Sequence, residues 1–119
     1  GDLQTNNGLL HFETVDAANM GEMNKESHFA YLDADKIEWP LLYRTWQSTD
    51  YFYPLGLRKK KKLNHFLGSL KLSPAIKQRI GVLTMGDKLL WVVGKRIDDR
   101  YKMTPQTTSV LIITLLDRF

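Results

Sequence analysis

A run of five cations, Arg58-Lys59-Lys60-Lys61-Lys62, is the group of residues in this sequence best suited to binding chemistry. Consecutive like charges repel one another and fill no core, so a chain usually keeps them in a tail or opposite an anion. Here the run lies in mid-chain, directly after the aromatic stretch Tyr51–Tyr53. Such runs are a signature of nucleic-acid contact. The alternative is a solvated turn that leads into a helix.

Charge is distributed unevenly along the chain. Residues 1–40 carry eight acidic residues against two lysines, a net charge of −6, whereas residues 41–119 carry fifteen bases against five acids, a net charge of +10. The overall charge of +4 therefore combines an acidic leader with a strongly basic body. This asymmetry indicates a polyanionic partner for one face of the protein.

Residues suited to catalysis or metal binding are sparse. Asp98 and Asp99 are a carboxylate pair of the kind used in acid–base catalysis. Neighbours on a strand point to opposite faces, so local ion pairing with Arg96 and Arg100 in a turn is the preferred interpretation. Asp50 is a candidate general base, but we expect it to accept hydrogen bonds from backbone amides of its own turn. The histidines lack the second and third ligands that a metal site needs, so none is predicted: His11, His28 and His65.

Composition narrows the class of protein. With 119 residues, 43% hydrophobic and 25% charged, the chain fits one domain with a modest core. The absence of cysteine excludes disulfides and thiolate chemistry and fits the cytoplasm, which is the predicted location. No apolar run approaches the roughly 20 residues that span a bilayer, so no membrane partner is predicted. The first residue is Gly1 rather than Met, which suggests a fragment of a longer protein.

Strand patterns dominate both ends of the sequence. Leu9–Val15, His28–Leu32, Leu41–Gln47 and Tyr51–Tyr53 predict strands in the first half. In the second half, Gly86-Asp87 between two apolar runs predicts a hairpin, and Ser109 to Leu116 predicts a buried final strand. Trp46, Phe52 and Trp91 are expected in the core, whereas Tyr51 and Tyr53 remain candidates for stacking on bases.

Two short helices are predicted in the centre. Apolar residues at helical spacing predict a helix over about Lys61 to Lys71: Leu63, Phe66, Leu67 and Leu70. Lys61 and Lys62 would then oppose the helix dipole, which suggests an external anion also bound by the backbone amides there. Ser73-Pro74 predicts the start of a second helix, Ala75–Ile80. Together the elements predict an α+β, mainly β fold: a small strand-rich, sandwich-like or barrel-like domain with two short helices.

Three segments carry a resemblance to a known family. Residues 44–62, RTWQSTDYFYPLGLRKKKK, resemble the signature of the C-terminal domain of tRNA(Ile)-lysidine synthetase, a strand followed by an Asp-x-Phe-x-Pro-Leu-Gly turn and a lysine-rich stretch. Residues 63–71, LNHFLGSLK, and 90–101, LWVVGKRIDDRY, resemble the segments that follow it. The match runs in order from about Leu41 to Leu116. Ser69 departs from it, since the family more often has an acidic residue there.

The resemblance implies a role within a larger enzyme. The parent would be an ATP-dependent ligase that attaches lysine to a cytidine of the isoleucine tRNA anticodon. Its catalytic domain, which binds ATP, carries a Ser-Gly-Gly-x-Asp-Ser phosphate loop that this sequence lacks. The fragment is therefore expected to be non-catalytic and to bind no cofactor. Its implied partners are tRNA, toward the acceptor stem, and the catalytic domain of the same chain.

The resemblance thus implies tRNA binding by residues 41–119, with residues 1–40 as an acidic leader that is a linker or the first strands of the domain. Phosphate contacts would supply affinity without sequence information. The candidate RNA-binding residues are the cations of the run and three arginines that each have a carboxylate nearby: Arg58, Lys59, Lys60, Lys61, Lys62, Arg44, Arg96 and Arg100. Two alternatives stay open. One is a protein-interaction domain or homodimer without RNA binding, and the other, ranked lower, is a hydrolase.

Overall fold

The computed structural model describes residues 1–116 and consists mainly of antiparallel strands. The strands are β1 (Asp2–Thr5), β2 (Gly8–Asp16), β3 (Phe29–Asp33), β4 (Leu42–Thr45), β5 (Tyr51–Phe52), β6 (Lys61–Lys62), β7 (Gly81–Met85), β8 (Lys88–Val92), β9 (Arg96–Ile97) and β10 (Ser109–Leu116). Two helices, α1 (Leu63–Ser69) and α2 (Pro74–Arg79), lie between β6 and β7. Short 3-10 turns cover Ala17–Asn19, Ala34–Lys36 and Asp99–Tyr101.

The first sheet has the strand order β1-β2-β10-β3. The last strand, β10, pairs with β2 along its whole length and with β3 on its other side. Leu10, Ala30 and Ile113 share the inner face of this sheet and are buried. Residues 2–33 therefore supply three of the four strands of this sheet, and the predicted final strand is the fourth.

The second sheet, in the order β4-β7-β8-β9, is the middle layer of the domain. Leu83, Leu90 and Trp91 pack against the inner face of the first sheet. Val82, Leu89 and Val92 point the other way, into a second core formed with Phe52 and the α1 residues. Because both faces of β7 and β8 are buried, these strands are almost continuously apolar. The predicted α+β, mainly β fold, a small strand-rich domain with two short helices, is confirmed.

The predicted hairpin and second helix are also confirmed. Gly86 has φ +60° in the two-residue turn between β7 and β8, a conformation that glycine adopts without steric cost. Ser73 caps α2 through its hydroxyl, which accepts a hydrogen bond from the Ile76 amide at 3.3 Å. Within residues 1–116, neither helix is long and apolar enough to cross a membrane.

The predicted start of the first helix is wrong. Lys61 and Lys62 are extended and form β6, which pairs with β5 through Tyr51–Lys62 and Phe52–Lys61. The helix begins only at Leu63, after Lys62 with φ −64° and ψ 133°. The apolar spacing located the buried face of the helix correctly, because Leu63, Phe66 and Leu67 all lie in the second core. Cross-strand pairing, which helical spacing does not report, fixes where the helix begins.

Candidate nucleic-acid interface

The five cations lie at the end of a short β-ribbon. Strands β5 and β6 form the ribbon, and residues 53–60 connect them. Phe52 is fully buried and stacks edge-on against Phe66, with ring centroids 5.1 Å apart, so the ribbon is anchored in the second core. Tyr51, its neighbour, points outward and is 42% exposed. The ribbon therefore presents its connecting loop and its lysines to solvent.

The connecting loop is fixed by the turn that follows β9. Asp98 is fully buried, and its carboxylate accepts a hydrogen bond from the Tyr53 amide at 3.0 Å. The Asp99 carboxylate accepts one from the Gly56 amide, also at 3.0 Å. Gly56 has φ +90°, a left-handed conformation that glycine tolerates best. Two adjacent aspartates thus hold both ends of the Tyr53–Gly56 turn.

Arg100 completes this anchor. Its Nε and one terminal nitrogen donate to the two Asp98 oxygens, each at 3.0 Å. Its guanidinium also lies 4.4 Å from the centroid of the Tyr53 ring. The hydrogen bonds to Asp98 raise the pKa of Arg100 above its ordinary value. The predicted local ion pairing of Asp98 with Arg100 is confirmed, so both groups stabilise the turn.

Asp99 has a second partner that sequence reasoning missed. Lys102 Nζ donates to its carboxylate at 3.0 Å, on the oxygen that also accepts the Gly56 amide. The hydrogen bond from Gly56 lowers the pKa of Asp99, and the bond from Lys102 and the charge of Arg58 lower it further against the effect of burial. The i, i+3 spacing of Asp99 and Lys102 in the sequence could have indicated this ion pair. Arg58 therefore lies close enough to this turn for its charge to stabilise the Asp99 carboxylate.

Arg44 makes a similar anchor at the other end of the ribbon. Its two terminal nitrogens donate to the two oxygens of Asp50 at 2.9 and 2.7 Å. Asp50 also accepts a hydrogen bond from the Gln47 amide at 2.7 Å, so its predicted bond to the backbone of its own turn is confirmed. Burial raises the pKa of Asp50, but the bonds from Arg44 and Gln47 outweigh that effect and leave the pKa below its ordinary value.

The cations of the run, in contrast, have no carboxylate partner. Within residues 1–116 none of the five forms an ion pair, and all are exposed except Lys61, which is half-buried. Lys60 Nζ lies 3.9 Å from the centroid of the Tyr51 ring. We call Arg58–Lys62 the basic segment. It combines unneutralised positive charge with an exposed aromatic ring.

One of the backbone amides expected to bind a phosphate at the helix start has an acceptor within the protein. The Leu63 amide, the first of α1, donates to the Asp50 carbonyl at 3.0 Å and is therefore already engaged. Lys61 and Lys62 are strand residues whose side chains extend from the two faces of the ribbon. The basic segment therefore presents its side chains from an extended strand rather than from the first turn of a helix.

Arg96 is the remaining cation that the sequence singled out. It is exposed, and its guanidinium lies 5.2 Å from the centroid of the Phe66 ring of α1. It forms no ion pair with a carboxylate of residues 1–116, unlike Arg44 and Arg100. The predicted pairing of Arg96 with Asp98 or Asp99 is therefore not found, since Arg100 and Lys102 occupy those carboxylates.

The buried aromatic residues were predicted correctly. Trp91 is 1% exposed and Phe52 is fully buried, while Trp46 is half-buried with its indole nitrogen donating to the Lys77 carbonyl at 2.7 Å. The rings of Trp91 and Phe52 are therefore unavailable for stacking on bases, whereas the Trp46 ring is partly accessible. Across residues 1–116, no group of three acidic, histidine or cysteine side chains is arranged to hold a metal ion. The arrangement supports binding of a polyanion.

Sequence comparisons place the chain close to one group of proteins. The model of the TilS substrate C-terminal domain matches residues 38–113. The tRNA(Ile)-lysidine synthase of Parabacteroides distasonis is 40% identical over 94 residues, which cover 79% of this chain and 22% of that protein. The tRNA(Ile)-lysidine synthase of Caldanaerobacter subterraneus subsp. tengcongensis is 31% identical over 106 residues, covering 89% of this chain and 23% of that protein. The chain spans about a fifth of the length of these curated relatives.

Solved structures give a matching fold. A crystal structure of the TILS C-terminal domain aligns with a TM-score of 0.84 at 17% identity, over 100% of this chain and 92% of that one. An N-terminal fragment of the phenylalanyl-tRNA synthetase beta-subunit from Pyrococcus horikoshii aligns with a TM-score of 0.59 at 22% identity, over 71% of this chain and 27% of that one. At these identities the likeness concerns the fold alone.

Proposed function

The chain belongs to the family of TilS substrate C-terminal domains, and from that premise we propose that it is a non-catalytic domain that binds tRNA through the basic segment. The observation that carries the proposal is the state of Arg58–Lys62: five adjacent cations without a carboxylate partner in the described chain. Three cations near the ribbon, Arg44, Arg100 and Lys102, are in contrast each paired with an aspartate. Unpaired cations of this density favour a polyanion from outside the domain.

The proposed binding relies on phosphates. Double-stranded RNA offers a shallow minor groove, 2′-hydroxyls and phosphates rather than readable base edges, so lysines that contact phosphates would give affinity with little sequence preference. We assign direct contact to Arg58–Lys62 and Arg96. Arg44 and Arg100 position the ribbon, since each is committed to a buried or half-buried carboxylate. Tyr51 lies beside Lys60 and is available to a ribose or an unpaired base.

We propose that the chemistry belongs to the rest of a longer protein. The curated relatives are several times longer than this chain and are named tRNA(Ile)-lysidine synthases. The parent would attach lysine to a cytidine of the tRNA anticodon with ATP bound in a separate catalytic domain, in the cytoplasm. This domain would hold the tRNA while that domain acts.

The test is binding of tRNA to the chain at several salt concentrations, together with its oligomeric state by sedimentation. Electrostatic binding predicts that the logarithm of the affinity falls linearly with the logarithm of the salt concentration. A monomer with salt-dependent tRNA affinity supports the proposal. A stable dimer without tRNA affinity would instead support the alternative in which acidic and basic surfaces of two chains meet.

A further inference from the structure

A cleft of about 500 Å³ lies next to the loop of the β5–β6 ribbon. Its volume falls within the range of about 300–1,000 Å³ typical of sites for small organic ligands. The cleft opens between residues 23–27 and the segment from Lys95 to Ile97, and Leu55 of the ribbon loop lines it. The buried residues Trp91 and Ile97 also line it. Of the residues assigned above to tRNA contact, Arg96 alone lines this cleft.

One wall of the cleft is aromatic. Phe29 and Tyr31 lie two residues apart on β3 and therefore project on the same face of that strand. Both line the cleft and both are half-buried, so their rings are partly accessible. The neighbours between and after them, Ala30 and Leu32, fill the core. Accessible aromatic rings on a rigid strand are the usual platform for stacking a base.

The opposite wall is cationic. Lys95 and Arg96 line the cleft, and neither forms an ion pair with a carboxylate of residues 1–116. Lys25 stands at the rim. The single acidic residue among the lining residues is Glu26, and its carboxylate lies 3.4 Å from His28 Nε2. A ligand with a flat ring and a negative charge would match both walls.

Hydrogen bonds fix the segment around Asn24, which lines the cleft and has a side-chain nitrogen available to a ligand. The Tyr31 hydroxyl accepts a hydrogen bond from the Asn24 amide at 3.0 Å, and Asn24 Oδ1 accepts one from the Glu26 amide at 3.0 Å. The side-chain nitrogen of Asn24 makes no hydrogen bond within the described chain. It is therefore available to the edge of a base in the cleft.

Arg96 links this cleft to the proposed RNA surface. Its side chain lines the cleft while its guanidinium lies over the Phe66 ring of α1, the helix that directly follows the basic segment. Leu55 makes a second link, because its amide donates to the Ile97 carbonyl at 3.1 Å. A strand of RNA on the basic segment can thus reach the cleft without crossing the domain.

We propose, building on the tRNA binding proposed above, that the cleft holds one unpaired nucleotide of the bound RNA. Its base lies against Phe29 and Tyr31, and its phosphate lies beside Lys95 and Arg96. The duplex part of the RNA contacts the basic segment. The cleft thereby distinguishes RNA with an unpaired nucleotide next to a duplex from a continuous duplex.

The experiment compares the affinity of the chain for a blunt RNA duplex with that for the same duplex extended by unpaired nucleotides at its 5′ or its 3′ end. Stacking on aromatic side chains predicts that one of the extended duplexes binds about tenfold more tightly than the blunt one. Equal affinity for all three would overturn this inference and leave the proposed function intact. Binding of none of them would overturn the proposed function as well.

Two variants separate the cleft from the basic segment. Phe29→Leu keeps an apolar side chain on β3 but removes the ring, so it should abolish the preference for the extended duplex while the blunt duplex binds as before. The matched double variant Lys59→Gln, Lys60→Gln should weaken binding of all the duplexes and keep their ratio. A Phe29→Leu variant that retains the tenfold preference contradicts the inference.

Crosslinking supplies a second readout that does not depend on how a variant folds. With 4-thiouridine in the extension, irradiation of the complex with the unsubstituted chain should label the tryptic peptide of residues 26–36, which contains Phe29 and Tyr31. Labelling confined to peptides of the basic segment would place the unpaired nucleotide outside the cleft.

Discussion

The carboxylate of Asp98 accepts a hydrogen bond from the backbone amide of Tyr53, forty-five residues earlier in the chain, at 3.0 Å. This bond joins the turn after β9 to the loop that leads into the basic segment. Asp98 also accepts from the Arg100 backbone amide at 2.8 Å and from the Arg100 side chain, so its buried charge is fully compensated. The position of the lysines thus depends on a carboxylate in a distant part of the sequence.

Asp98→Ala should destabilise the domain strongly. The substitution removes the partner of a half-buried guanidinium and leaves the Tyr53 amide without its acceptor, and breaking a buried ion pair in this way costs about 3–5 kcal/mol. Urea unfolding measures the change in the free energy of unfolding. Asp87→Ala is the matched control, because Asp87 is exposed and its one ion pair within residues 1–116 is with Lys88 at 3.4 Å. Equal stability of the two variants would show that Asp98 is not an anchor.

Trp91→Ala should also be destabilising, because the indole is 1% exposed and packs between the two sheets. Removal of a buried tryptophan side chain costs about 3–5 kcal/mol. Trp39→Ala provides the comparison, since Trp39 is 60% exposed. A melting temperature of the Trp91 variant equal to that of the parent would place the indole on the surface.

The sequence predicted those strands and turns whose conformation follows from their own residues. The hairpin of β7 and β8 was predictable because Gly86-Asp87 is a turn by its local chemistry, and β10 because its apolar residues are contiguous. Strand β1 was not predicted, since Asp2–Thr5 is almost wholly exposed and is a strand only through its pairing with β2. The same applies to Lys61 and Lys62, whose extended conformation comes from pairing with Tyr51 and Phe52.

Some features of the candidate site were likewise predictable from the sequence and others were not. The run of cations was visible in the sequence, and so was the local pairing of Asp98 with Arg100. The bonds from Asp98 and Asp99 to the amides of Tyr53 and Gly56 join segments distant in sequence, and residue types alone do not report such contacts. The cleft beside Arg96 is likewise formed by separate segments of the chain and was not anticipated.

The stability contributed by Asp50 should depend on pH. Its folded pKa lies below the ordinary value of about 3.9, so its contribution is complete above that value and is lost as the pH falls through the folded pKa. Asp50→Asn should therefore be less stable than the parent at neutral pH, by about 1–2 kcal/mol for the missing charged hydrogen bonds to Arg44. The difference should shrink as the pH falls from the ordinary value of about 3.9 through the folded pKa, because the parent carboxylate is then protonated.

Urea unfolding of the parent and of Asp50→Asn, at neutral and at acidic pH, measures this difference in the free energy of unfolding. Asp87→Asn serves as the control, and its stability should follow that of the parent at both values. A difference between parent and Asp50→Asn that stays constant down to about pH 2 would contradict the assigned pairing.

The chain alone should release no pyrophosphate when it is incubated with ATP, lysine and tRNA. This follows from the proposed assignment of catalysis to a separate domain, since the sequence has no Gly-rich phosphate loop. Release above background that requires both the chain and tRNA would show that the domain is catalytic.

The central claim is that the basic segment contacts tRNA, and the salt dependence of tRNA binding tests it most directly. The variant with Lys59, Lys60, Lys61 and Lys62 replaced by Gln is compared with one of equal net charge, in which Lys36, Lys71, Lys77 and Lys88 are replaced by Gln. If the basic segment contacts tRNA, the first variant alone should bind more weakly. The slope of log affinity against log salt concentration should be smaller by about 0.9 or slightly less for each phosphate that is no longer neutralised. Folding of both variants, measured by thermal unfolding, should remain close to that of the parent. Equal affinities and equal slopes for the two variants would contradict the account and place the RNA surface elsewhere.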